Sequence, residues 1–147
     1  MSQQPTAVVA HIGICVSDIE RSAAFYMKAL GFTYERDIGE LGPPFDTLIE
    51  LPAAKLQAYQ LKCGEVKIEL ISYPNVEITG SSERCPMNRR GFTHMTLVVA
   101  DINATAARIV EHGGSAHAET RIDSPYGPIM FCSDPNGLRI EIMEYKG

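Results

Sequence analysis

From residue 8 onward the apolar positions fall into a fixed order of periods. Residues 8–16 (VVAHIGICV) are rich in β-branched and apolar side chains, the composition of a strand. Ser17-Asp18-Ile19-Glu20 then has the S-x-x-E spacing of a capping box. Ile19, Ala23, Tyr26 and Leu30 follow at helical spacing, and Gly31 supplies a stop, so a helix is predicted over about residues 18–30. Residues 32–36, 45–51, 57–62 and 66–73 read as short strands, with a Gly-Pro turn at 42–44. Residues 74–91 are polar, broken by proline and glycine, and lack periodicity, which marks a connector. The order then repeats: a strand over 93–99, a helix from Asp101 or just after it to His112, Gly113-Gly114 as its stop, and further strands. Asp134-Pro135-Asn136-Gly137 is a strong turn signal and launches a last strand over 138–145.

The repetition extends to individual residues. His11-Ile12-Gly13-Ile14-Cys15-Val16-Ser17-Asp18-Ile19 returns as His94-Met95-Thr96-Leu97-Val98-Val99-Ala100-Asp101-Ile102, at a constant offset of 83 residues. Ala23-Ala24 matches Ala106-Ala107, and Gly31 matches Gly114. A second rhyme pairs Ile68-Glu69-Leu70-Ile71 with Ile140-Glu141-Ile142-Met143. Side chains of a strand alternate between faces, so His11, Glu69, His94 and Glu141 each point away from a clearly apolar face. One such Glu alone is usually the wet face of an amphipathic strand, and one such His a satisfied polar residue. Recurrence of both types at matching places in two modules raises a different possibility. A pseudo-twofold arrangement could bring two His and two Glu to one point, as a metal site.

Composition bounds this picture. With 147 residues the chain suits one domain, since two independent cores of about 70 residues would each be marginal. The boundaries expected are a first module at about 7–74, a connector at about 75–91 and a second module at about 92–146, together forming a single domain over 1–147. Hydrophobic residues at 45% and charged residues at 21% are those of a globular chain. A net charge of −5 gives no reason to expect nucleic acid or an acidic membrane as partner. No apolar run reaches the roughly 18 residues of a membrane span, and residues 1–6 lack a secretory signal, so a cytoplasmic location is expected. The cysteines at 15, 63, 85 and 132 have no metal-binding spacing; Cys15 and Cys132 are expected as small reduced core residues.

The chain resembles the vicinal oxygen chelate superfamily, which includes glyoxalase I, methylmalonyl-CoA epimerase and extradiol dioxygenases. The resemblance rests on the His11 strand, the helix start Asp18-Ile19-Glu20-Arg21-Ser22, Phe25-Tyr26 and Leu30-Gly31-Phe32. In the second half it rests on Gly91-Phe92-Thr93-His94, Asp101-Ile102, Gly113-Gly114 and Asp134-Pro135-Asn136-Gly137-Leu138-Arg139-Ile140-Glu141. It covers nearly the whole chain, and the closing DPNG-x-x-IE motif is its most specific element. It implies an α+β fold of two tandem βαβββ modules, forming a half-open eight-stranded barrel around one metal. It places His11, Glu69, His94 and Glu141 at the metal-ligand positions, commonly in a homodimer.

Two imidazoles and two carboxylates suit one divalent first-row ion, Zn, Ni, Co, Mn or Fe. Such an ion with open positions chelates neighbouring oxygens of a small-molecule substrate and acts as a Lewis acid. A Glu that loosens from it can move a proton. Glu69 and Glu141 are therefore the candidate catalytic residues, Glu141 first. The activity implied is that of a metal-dependent isomerase or lyase of glyoxalase or epimerase type. The alternatives are an extradiol-type dioxygenase or a metal-free small-molecule binding (resistance) protein of the same fold. Glyoxalase I of the short bacterial type carries Arg and Asn for glutathione where this chain has Cys15 and Tyr73, which argues against that thiol. Epimerases usually have Gln at the position of Glu69. A fourth protein ligand at Glu69 would obstruct the dioxygenase arrangement.

Several other polar residues have competing readings. Arg139 shares the Glu141 face and suits either a substrate anion or solvent. Glu50 is an extra acid or a surface residue, and Arg89 and Arg90 lie in the connector as closing groups or solvated ones. His112 suits a helix C-terminus. His117 has no repeat partner, and neither histidine is a favoured ligand.

Overall fold

The computed structural model describes residues 6–144. Strand β1 (Ile12–Cys15) leads into helix α1 (Ile19–Leu30), whose N-cap is Asp18. The Asp18 carboxylate accepts from the Arg21 backbone N–H at 3.0 Å, satisfying one of the orphan donors of the first turn. The capping box expected at Ser17 and Glu20 is thus not the device used. Ser17 instead donates its backbone N–H and its hydroxyl to Asn136 Oδ1, and Glu20 accepts from the Tyr59 hydroxyl. Long-range partners outbid the local pair. At the other end Gly31 takes a left-handed φ of 74°, which lets its N–H and that of Phe32 turn back to the Met27 and Tyr26 carbonyls.

Strand β2 (Thr33–Leu41) runs five residues beyond the predicted end. Register shifts between Tyr34 and Arg36, and again between Asp37 and Gly39, break the strict alternation by which a strand is read from sequence. Residues 45–51, expected as a strand, are not one: Phe45–Leu48 form the single-turn helix α2. Pro44 precedes it, and the Asp46 carboxylate accepts from the backbone N–H groups of Thr47 and Ala53, so local side-chain bonding wins over an extended chain. Strands β3 (Leu56–Cys63) and β4 (Val66–Ser72) complete the first module.

The second module holds β5 (Met95–Val98), α3 (Ile102–Glu111), β6 (Ser115–Ala116), β7 (Ile122–Ser124), β8 (Gly127–Ser133) and β9 (Arg139–Met143). Asp101 caps α3 as Asp18 caps α1, accepting from Ala104 N–H at 2.8 Å. Of the last strand predicted, Tyr145 lies outside the described residues.

The modules have the same topology. One sheet runs β1-β4-β3-β2 and the other β5-β9-β8-β6, with β7 also on β8. In each, the first and last strands pair in parallel, the helix crosses from one edge of the sheet to the other, and the remaining strands pair antiparallel. Among the described residues nine strands make two open sheets in an α+β fold.

Helix α1 lies against β2, β3 and β4, α3 lies against β6, β8 and β9, and the helices meet each other. The helices thus stand between the sheets. Ile68 and Leu70 from one sheet, Ile140 and Ile142 from the other, and Phe25, Tyr26, Ile102 and Ile109 from the helices join one fully buried core. Polar bonds lock the halves as well: the buried Tyr26 hydroxyl donates to Asp134 Oδ2 at 2.9 Å, and Asn136 Nδ2 donates to Ser22 Oγ at 3.0 Å. The turn that launches β9 is therefore tied to the helix of the other module. No helix among the described residues is long and apolar enough to cross a membrane.

Candidate metal centre

Each sheet covers its apolar face with a helix and leaves its other face to carry the polar alternates. In the first sheet Gly13 is opposite Glu69, which places His11, one pleat earlier, beside that carboxylate. His11 Nε2 lies 3.7 Å from Glu69 Oε1. The second sheet repeats this: Thr96 is opposite Glu141, and His94 Nε2 lies 3.9 Å from Glu141 Oε2. Both gaps are too long for hydrogen bonds. Two donors held about 2.1 Å from one ion would stand roughly 3–3.5 Å apart, so a small side-chain rotation brings either pair to ligating distance.

The four residues form two pairs and no larger group. Among the described residues, no three His, Cys, Asp or Glu side chains come close enough to hold a metal together. The layer order explains this. Both pairs sit on the faces that turn away from the helices, opposite the buried Ile68, Leu70, Ile140 and Ile142. Their side chains retain access to solvent, at 39% for His11, 16% for Glu69, 26% for His94 and 23% for Glu141. One imidazole and one carboxylate suit a borderline divalent ion, but two donors fill only half of a tetrahedral shell.

The two pairs differ in their surroundings. Glu69 Oε2 accepts from Gln60 Nε2 at 2.7 Å, and Gln60 Oε1 accepts from Arg36 Nε at 3.0 Å. Among the described residues, Glu141 Oε1 accepts only a longer bond, 3.2 Å, from the Thr96 hydroxyl. On the histidine side the bias is reversed. His94 Nδ1 is 2.8 Å from Thr93 Oγ1, and its ring meets Phe131 edge to face at 5.3 Å. With Nδ1–H donated to Thr93, the Nε2 lone pair is left for a ligand. Gln60, Arg36, Thr93, Thr96 and Phe131 were not legible as site residues. Only the strand register shows Gln60 opposite Glu69 and Phe131 opposite Glu141.

The remaining sequence candidates fall elsewhere. Cys132 is buried, and burial pushes its thiol up to about 11. Cys15 is not the core residue expected: it is exposed, because β1 alternates and Cys15 falls on the Glu69 side with Ile71 as its register partner. Arg139 donates Nε to the Cys85 carbonyl and lies over the Phe131 ring. Arg89 and Arg90 are exposed in the connector. Glu50 occupies a turn with φ 58°. His112 closes α3, and His117 Nε2 bonds Ser133 Oγ at 2.7 Å. Burial, then Arg84, holds the His117 imidazole below its usual range. A cavity of about 540 Å³ lies between His117, Ser133 and the connector residues Ser82–Arg84, and includes none of the four candidate ligands. A smaller apolar one, about 130 Å³, lies between β1 and β5 and reaches His94.

Known proteins share this fold. The family described as Glyoxalase/Bleomycin resistance protein/Dioxygenase superfamily matches over residues 8–142. The uncharacterized protein YaeR of Escherichia coli K12 is 31% identical over 140 residues, covering 92% of this chain and 95% of that one. A glyoxalase family protein from Bacillus cereus superposes with a TM-score of 0.84 at 17% identity, over 100% of this chain and 99% of its own. A mutant of the fosfomycin resistance protein FosX from Listeria monocytogenes, complexed with Mn(II) and 1S,2S-dihydroxypropylphosphonic acid, superposes with a TM-score of 0.58 at 14% identity, over 97% and 95%.

Proposed function

The chain belongs to the Glyoxalase/Bleomycin resistance protein/Dioxygenase superfamily, and on that premise we propose that it is a divalent-metal-dependent isomerase or lyase of glyoxalase or epimerase type, acting on a small molecule with adjacent oxygens. The observation that carries this reading is the matched pair of His–Glu sites, at 3.7 and 3.9 Å, on equivalent outward faces of the two modules. His11, Glu69, His94 and Glu141 would hold the ion, which would supply Lewis-acid polarisation of the two substrate oxygens.

One chain offers only two of those donors at any point, so we place the complete site between two chains of a homodimer. His11 and Glu69 of one copy would meet His94 and Glu141 of the other, giving two equivalent sites per dimer. The open edges of β1 and β5, and the polar faces beside them, are where a second copy would dock. Glu141, with a single 3.2 Å bond to Thr96 among the described residues, would be free enough to take a proton from a substrate carbon and return it elsewhere. Placement in the cytoplasm as a single domain over 1–147, without nucleic acid or membrane partners, completes the reading.

Two measurements test it. Purified protein is expected to take up about one equivalent of Zn, Ni, Co, Mn or Fe per chain, and no uptake of any of them would end the metal-enzyme reading. Sharing between chains is tested with His11→Ala and His94→Ala. Each alone should lose its metal, whereas unfolding and refolding them together should restore one intact site per heterodimer. A site lying within one chain would show no recovery on mixing.

A further inference from the structure

The two carboxylates of the candidate site are equivalent by repeat and unequal by register. Antiparallel pairing of β3 with β4 sets Gln60 directly opposite Glu69, and antiparallel pairing of β8 with β9 sets Phe131 directly opposite Glu141. Opposed residues share a face, so the first carboxylate meets an amide and the second meets a ring.

The amide is held in one orientation. A guanidinium only donates, so Arg36 Nε, at 3.0 Å, must face the Gln60 carbonyl oxygen. The Gln60 NH₂ is then the end that faces Glu69, and it donates to Oε2 at 2.7 Å. Gln60 is 6% exposed, so water offers little competition for either bond. The positive charge behind the amide polarises it and strengthens its donation. Oε2 of Glu69 is thereby occupied, while Oε1 is left toward His11. Phe131 has nothing to donate, and it contacts the His94 ring instead.

We propose that Gln60 and Arg36 are a positioning pair that holds Glu69 in its ligating orientation, so that Glu141, which has no such clamp, is the carboxylate released for proton transfer. The proposal rests on the metal reading above and assigns the two carboxylates different work. Glu69 would hold an ion through Oε1 while Gln60 keeps Oε2, and swinging the carboxylate away would strand the buried Gln60 donor, a loss Glu141 would not face. Neither Gln60 nor Arg36 touches the ion or the substrate.

The test uses Co(II) alone as probe. Gln60→Leu removes the donor at nearly constant volume, and Arg36→Met removes the charge that orients it. For Gln60→Leu, Co(II) affinity by calorimetry should fall about 10- to 100-fold, the usual cost of losing an outer-shell partner. The visible Co(II) spectrum should change as Glu69 loosens, with the urea midpoint of metal-free protein near wild type. Arg36→Met should move affinity and spectrum in the same direction by a smaller factor, and it carries the test if Gln60→Leu does not fold. Affinity within threefold of wild type and an unchanged spectrum in folded variants would overturn the proposal. Wild-type protein that takes up no Co(II) or other divalent ion would remove the metal reading and this inference with it; wild-type uptake with indifferent variants would remove the inference alone.

Discussion

At the scale of single residues, the chain commits its chemistry to four side chains and tunes them through neighbours far away in sequence. Glu141→Gln should abolish exchange of a substrate C–H proton with D₂O while lowering metal content only moderately. Glu69→Gln should strip more metal than Glu141→Gln, since its carboxylate is the better held. Metal analysis beside exchange rates checks both, and Glu141→Gln activity within a few-fold of wild type would contradict the proton role. The four candidates were legible because each type recurs in a matching motif of the second half, the His 83 residues on and the Glu 72, beside Ile, Leu or Met. Gln60 and Arg36 were not, since neither has a repeat partner that would flag it. Their role depends on which strand lies beside which.

At the scale of elements, the helices followed their spacing closely because Asp18 and Asp101 cap them and glycine follows each. The glycine pair after α3 shows two distinct needs. Gly113 takes φ 92°, the conformation of a stop. Gly114 has no such φ; a Cβ there would stand 2.5 Å from the Ser133 carbonyl oxygen and 2.8 Å from the Phe25 ring. Gly114→Ala should therefore destabilise by about 1–3 kcal/mol through overpacking, measured by urea unfolding. A loss under a few tenths would show that the modules yield there. The misread elements share one cause. Residues 45–51 look apolar enough for a strand, but the proline and Asp46 turn them into α2, and the bulges of β2 hide a long strand behind irregular alternation.

At the scale of the whole molecule, the shared core dictates both stability and site architecture. Burial, reinforced by the Asp134 carboxylate, holds the Tyr26 hydroxyl well above its usual range, and burial pushes Cys132 to about 11. Both folded pKa values are raised, so the unfolded chain releases these protons first. The stability from both groups is complete below about pH 9, where an unfolded thiol begins to ionise, and is lost as pH rises through the folded values. The urea midpoint should stay level from pH 7 to about 8.5 and fall above about pH 9. Tyr26→Phe should lower the midpoint at neutral pH by about 1–3 kcal/mol in stability, through loss of a buried bond to a charged acceptor, and flatten the alkaline fall. A midpoint level to pH 11 in the wild-type protein would refute the linkage.

The amino-acid sequence by itself determined the repeated order of strand, helix and strands, the glycines that stop the helices, and which four side chains stand on polar faces. Those are consequences of short-range geometry, the periods of 3.6 and 2, and a duplicated motif records them twice. Only the tertiary structure decided where the faces point. Because α1 and α3 pack against each other, the sheets lie on either side of them, and the two His–Glu pairs turn outward rather than toward one centre. Register decided the rest, setting an amide against one carboxylate and a phenyl ring against the other. Contacts of that kind arise between strands, and no single strand's pattern contains its neighbour.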